Sequence, residues 1–90
     1  MRTEFEKILG EESRYLAIET RDRLDLTQRK MGMHLEMCES SYSDIETGHT
    51  TCGALSLVLL LSMQDDPKAF LNKVTAKFAK CYEEQMRGIS

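Results

Sequence analysis

The stretch Ala54–Met63 reads ALSLVLLLSM, ten residues without a charge, bounded by Gly53 on one side and by Gln64, Asp65, Asp66 and Pro67 on the other. That is about half of the roughly 20 apolar residues a helix needs to cross a bilayer. The run therefore reads as a helix buried in protein. Being apolar nearly all round, it is expected to be the central element around which the rest of the chain packs. With 90 residues there is chain for one small core and no second folding unit, so a single domain over 1–90 is expected.

The segments around that run are punctuated as helices. Phe5, Ile8, Leu9, Tyr15, Leu16, Ile18 and Leu24 recur at helical spacings and predict a first helix over about 5–24. Gly10 is expected to divide it into an N-terminal arm (1–10) and a main helix from Glu11. Thr27 is a good N-cap, and Gln28 opens a second helix to about Leu35 with Met31 and Leu35 on one face. Glu36, Met37 and Cys38 make a short turn. A third helix follows over Glu39–Thr47, with Tyr42 and Ile45 as its apolar pair and Gly48 as its left-handed stop. Asp65-Asp66-Pro67 is the clearest helix start, an acidic cap followed by proline in the first turn. It opens a fifth helix over 67–86 with a stripe of Phe70, Leu71, Val74, Phe78, Cys81 and Tyr82. No strand pattern and no internal repeat is visible, so the expected class is all-α with five helices.

From Arg21 the chain runs RDRLDLTQRKMGMHLEMCESSYSDIETG. This string resembles the Cro and lambda-repressor (XRE-type) helix-turn-helix family. The places that carry the likeness are Arg21, Leu26, Thr27, Gln28, Met31, Leu35, Met37, Tyr42, Ile45, Glu46 and Gly48, followed by the leucine-rich fourth helix. The likeness spans residues 21–63. It implies a lambda-repressor-like domain, with helices two and three as the helix-turn-helix and the third helix in a major groove about 12 Å wide. It implies DNA contacts from Thr27, Gln28, Arg29, Glu39, Ser40, Ser41, Ser43, Asp44, Thr47 and His49, with Gln28 placed for a phosphate. It also implies a structural ion pair between Arg21 and Glu46. Gly32 falls close to where the family prefers alanine, a small residue that lets the two helices approach.

Two departures from the pattern bear on function. The usual Ser or Thr before helix three is Cys38, a weak acceptor and so a poorer cap. The reading face carries Glu39 and Asp44. No Lys or Arg occurs between Met31 and Pro67, a stretch with six carboxylates, and the whole chain is at −3. Phosphates repel such a face, although a carboxylate can accept from cytosine N4.

The function expected is a sequence-specific transcriptional regulator that binds duplex DNA as a homodimer. The alternative is a protein-interaction module that has kept the fold and lost the DNA site. Phe70, Val74, Phe78 and Tyr82 are the candidate dimer surface, with packing inside one chain as the other reading. Three widely spaced cysteines without a CxxC pair are expected to be buried or half-buried free thiols, not a disulfide framework or a zinc site. His34 and His49 lack partners at ligand spacing, and no base is patterned beside the serines. An enzyme, a metal and a cofactor are therefore not expected. The charged N-terminus has no signal-peptide core, and a cytoplasmic protein without membrane contact is expected.

Overall fold

A computed structural model describes residues 3–89, so the first two residues of the expected arm lie outside it. The described residues form five helices and no strand: α1 Glu4–Arg23, α2 Gln28–His34, α3 Glu39–Thr47, α4 Ala54–Ser62 and α5 Pro67–Ile89. No helix among them is long and apolar enough to cross a membrane.

Several of the helix ends have a local cause. The Thr3 hydroxyl accepts from the Glu6 amide at 3.2 Å, and Glu4 and Glu6 in the first turn of α1 oppose Arg21 and Arg23 in its last turn, matching the helix dipole. The Thr27 hydroxyl accepts from the Lys30 amide at 3.1 Å and opens α2. Gly48, at φ 83°, closes α3 in the left-handed region. Pro67 is the first residue of α5, which continues three residues past the expected end at Met86.

Gly10 does not break α1, contrary to expectation. A glycine inside a helix costs about 1 kcal/mol relative to alanine. Here that cost is offset by the pairing of α1 with α5 on both sides of the glycine. Phe5 meets Phe78 edge to face, ring centroids 5.2 Å apart. The buried Glu12 carboxylate accepts from Lys77 and lies 3.3 Å from Lys73. The Lys77 hydrogen bond outweighs burial, and with Lys73 it holds the Glu12 carboxyl below its ordinary value.

Ala17 of α1, Met31 of α2, Leu35, Tyr42 of α3 and Leu60 of α4 are sealed from solvent and form the core, with Leu16, Leu26, Met37, Leu59 and Met63 packed against it. Helix α4 is not the central buried element that its composition suggested. Leu60 is buried, but Leu55 and Val58 are 65% and 60% exposed. In a five-helix chain α1, α2 and α3 cover one side of α4, and no further element is left to cover the other. The apolar stripe of α5 divides as well. Phe70 and Val74 are buried within the chain and Phe78 is half-buried on Phe5, whereas Tyr82 is 59% exposed. Phe70 and Val74 are therefore withdrawn from the expected dimer surface, because the same chain already covers them.

The corner between α2 and α3 is tighter than a small side chain would allow. The Met37 amide donates to the Gly32 carbonyl at 2.9 Å, and Glu36 takes a left-handed φ of 59° to make the turn. A Cβ on Gly32 would stand 2.9 Å from the Met37 carbonyl oxygen and 3.3 Å from that of Cys38. Alanine, which the resemblance favours here, would press on backbone that is itself hydrogen-bonded. Gly32→Ala is expected to lower stability by about 1–3 kcal/mol. Thermal melts followed by circular dichroism read this directly, and an unchanged midpoint would mean that the corner has slack.

Candidate nucleic-acid interface

Helix α3 presents two different sides. Tyr42 and Ile45 point inward and are buried. Glu39, Ser40, Ser41, Asp44 and Thr47 are exposed, Ser43 is half-buried, and His49 in the following loop is exposed. The outer side is thus a strip of hydroxyls with two carboxylates. Its C-terminal end is tied internally: the Thr47 hydroxyl lies 2.7 Å from His49 Nδ1, which is 4.0 Å from Asp44 Oδ1.

The angle at which this strip stands out is set by one carboxylate. Glu46, its side chain only 9% exposed, accepts from Arg21 Nε at 2.6 Å, from Arg21 Nη2 at 3.2 Å and from Gln28 Nε2 at 3.0 Å. It also accepts from the Tyr42 hydroxyl. Four donor atoms from α1, α2 and α3 therefore converge on two oxygens. Burial pushes the Glu46 carboxyl up, but the hydrogen bonds from Arg21, Tyr42 and Gln28 and the charge of Arg21 outweigh it and hold it below its ordinary value. The same contact raises Arg21, and burial followed by the Glu46 bond raises the Tyr42 phenol. Arg21 and Glu46 are thus a true ion pair between α1 and α3. The Gln28 amide, expected at a phosphate, gives one of its donors to Glu46.

Of the other residues named from the sequence, Thr27 is exposed with its hydroxyl capping α2, and Arg29 is exposed on the first turn of that helix. Cys38 was expected to be buried or half-buried. It is exposed, whereas Cys52 is half-buried and Cys81 buried. Cys38 occupies the N-cap position of α3 without a side-chain capping bond. Its sulfur lies 3.3 Å from the Ser40 hydroxyl and 3.2 Å from that of Ser41. Those two hydroxyls, Ser40 first, lower its pKa to about 7.

The structure adds two participants that sequence reasoning missed. Tyr42 puts its hydroxyl on Glu46, an i,i+4 pair that helical spacing could have revealed. Arg14 of α1 donates from Nε to the Glu46 carbonyl at 2.6 Å, across 32 positions of sequence. No local pattern announces that contact.

Comparison of the chain with family models, curated proteins and solved structures finds no match. The residues themselves therefore carry the functional reading.

Glu46→Gln should leave the Arg21 guanidinium without its counter-charge and lower stability by about 2–3 kcal/mol, the lower part of the range for a buried pair because Arg21 is partly exposed. Glu46 and Glu12 both have folded-state values below their ordinary 4.5. Their stabilising contribution is complete above that value and is lost as pH falls through the depressed folded values. Denaturant midpoints measured from pH 7 downward should begin to fall near pH 4.5, and Glu46→Gln should flatten that acid limb. A wild-type midpoint that stayed level to pH 3 would remove these carboxylates from the stability of the fold.

Proposed function

We propose that the protein is a sequence-specific regulator that binds double-stranded DNA as a homodimer, with α2 and α3 as a lambda-repressor-like helix-turn-helix and α3 in the major groove. The observation that supports it most is the split of α3, with Tyr42 and Ile45 inward and a polar strip from Glu39 to Thr47 outward on a helix whose last turn is tied to α1 and α2 through Glu46. Ser40, Ser41, Ser43, Asp44 and Glu39 would meet base edges. Thr27, Arg29, Thr47 and His49 would meet the sugar-phosphate backbone. Arg29 and the adjacent Lys30, both exposed, supply cationic charge near the strip. No enzymatic step is assigned.

Selection of bound sequences from a random duplex library at low salt tests the reading. A recovered motif with half-sites about one helical turn apart supports it. No retained duplex at 50 mM salt, an ionic strength at which even weak phosphate contacts persist, would sink it. The double variant Glu39→Gln/Asp44→Asn should bind duplex roughly tenfold more tightly at low salt, with the recovered motif altered, because two carboxylates are removed from beside phosphates.

The dimer contact fits α4 better than the α5 stripe, since Leu55 and Val58 stand side by side on an uncharged, outward helical face. Leu55→Asp/Val58→Asp should keep its helical content and sediment as a monomer. Unchanged sedimentation of a dimeric wild type would move the contact elsewhere.

A second reading rests on a specific observation. Glu39 and Asp44 are exposed on a strip that itself has no lysine or arginine, so the same outward face is suited to a basic protein partner. In that reading the fold is a protein-interaction module without DNA binding.

A further inference from the structure

The acidic strip leaves the proposed regulator short of cations where DNA would sit, and the structure gathers two of them at the end of α3. A cavity of about 320 Å³ opens where α1 passes the loop after α3, lined by Lys7, Gly10, Glu11, Arg14, Gly48, Thr50 and Thr51. Arg14 is half-buried and anchored. Its Nε donates to the Glu46 carbonyl, and its stem lies 3.9 Å from where a Gly48 side chain would begin. Its two terminal amino groups have no hydrogen-bond acceptor among the described residues. The guanidinium is therefore held by one nitrogen and by the Tyr15 ring, whose centroid lies 5.6 Å from its central carbon, while the terminal amino groups of the fork keep their hydrogen-bonding capacity. A planar fork fixed in this way matches two oxygens of a phosphate group.

Lys7 and two threonine hydroxyls add to Arg14 here, and the Glu11 carboxylate opposes them. Lys7 is exposed on the same wall, in a surface pair with Glu4 at 3.2 Å that is worth little and is easily exchanged. Thr50 and Thr51 bring exposed hydroxyls from the loop. The one carboxylate of the lining, Glu11, accepts from the Tyr15 hydroxyl at 3.2 Å. Gly48 adopts a φ of 83°, which disfavours any side chain there.

We infer that this cavity binds a phosphate group through Arg14 and Lys7, and that under the DNA-binding reading on which this rests the group is a backbone phosphate of the duplex at the C-terminal end of α3. The site supplies from α1 the positive charge that α3 lacks. It would place a phosphate clamp at one edge of the groove while Arg29 and Lys30 serve at the start of α2.

The test compares wild type with Lys7→Gln, Arg14→Gln and the double variant, each checked for an unchanged fold by circular dichroism. Binding to a library-selected duplex is measured from 50 to 200 mM salt. The double variant is expected to lose roughly tenfold or more in affinity at 50 mM salt, the gap narrowing towards 200 mM as its log–log salt slope flattens by about one to two units. Equal affinity and equal slope in a wild type that binds DNA would overturn the site while leaving the DNA reading intact. Because Arg14→Gln removes the bond to the Glu46 carbonyl, the exposed Lys7→Gln change is read on its own and should flatten the slope by up to one unit. A second arm titrates inorganic phosphate against chloride of equal ionic strength and follows the Arg14 side chain and the Thr50 and Thr51 amides by NMR. Saturable shifts confined to those groups and lost in the double variant sustain the phosphate site even if no duplex binds, and then assign it to a free anion. Absence of such shifts together with absence of DNA binding overturns it.

Discussion

The fold turns on one carboxylate whose side chain is largely shielded from solvent. Glu46 sits in the last turn of α3 and collects donors from α1 through Arg21, from α2 through Gln28 and from its own helix through Tyr42. A carboxylate drawn out of water is costly unless its oxygens are satisfied, and here four donor atoms satisfy both of them. Tyr42 carries this polar knot into the apolar core, with its ring sealed from solvent beside Met31 and Leu35 and its hydroxyl near the Ala17 carbonyl at 3.4 Å. Three helices are thus fixed relative to one another by one side chain, and the outward side of α3 is aimed as a result. No buried side-chain nitrogen or oxygen among the described residues is left without a partner.

A second carboxylate performs a similar task at the other end of the molecule. Glu12 anchors two lysines of α5 to the middle of α1, and Phe5 with Phe78 extends the contact. Helix α1 is therefore a shared spine. One side carries α5, and its C-terminal half carries the α2–α3 corner. The polar groups on its buried side are absorbed locally: Ser13 bonds to the Leu9 carbonyl at 2.7 Å, and Thr20 to that of Leu16 at 2.6 Å while accepting from Gln64 at 2.9 Å. Such residues blur the apolar stripe of α1 in the sequence, although the helix is well packed.

The chemistry of the outer face follows from what these anchors leave over. Arg21 is held by Glu46, and Lys73 and Lys77 by Glu12, so fewer cations are free for a polyanion than the composition suggests. Arg14 is only partly engaged, through its Nε and the Tyr15 ring. Under the proposed function, recognition would combine an acidic reading strip of serines and two carboxylates with phosphate contacts from the neighbouring helices. Such a division favours modest affinity with a strong dependence on salt.

Local chemistry was enough to place all five helices. Thr27, Gly48 and Asp65-Asp66-Pro67 act on their own backbone neighbours, so their effect is legible in a few residues. The inward pair Tyr42 and Ile45 and the partnership of Arg21 with Glu46 were legible because helical spacing and the motif string constrain them. The continuity of α1 through Gly10, the half-bare α4 and the inward burial of Phe70 and Val74 were not. Each depends on which distant surface is present to cover a side chain, and an apolar residue has the same composition whether or not a neighbour arrives. Nor could the chain alone show that Gly32 abuts the Met37 carbonyl, or that Arg14 reaches the end of α3 with its Nε. Those are distances between segments, and only the packed arrangement sets them.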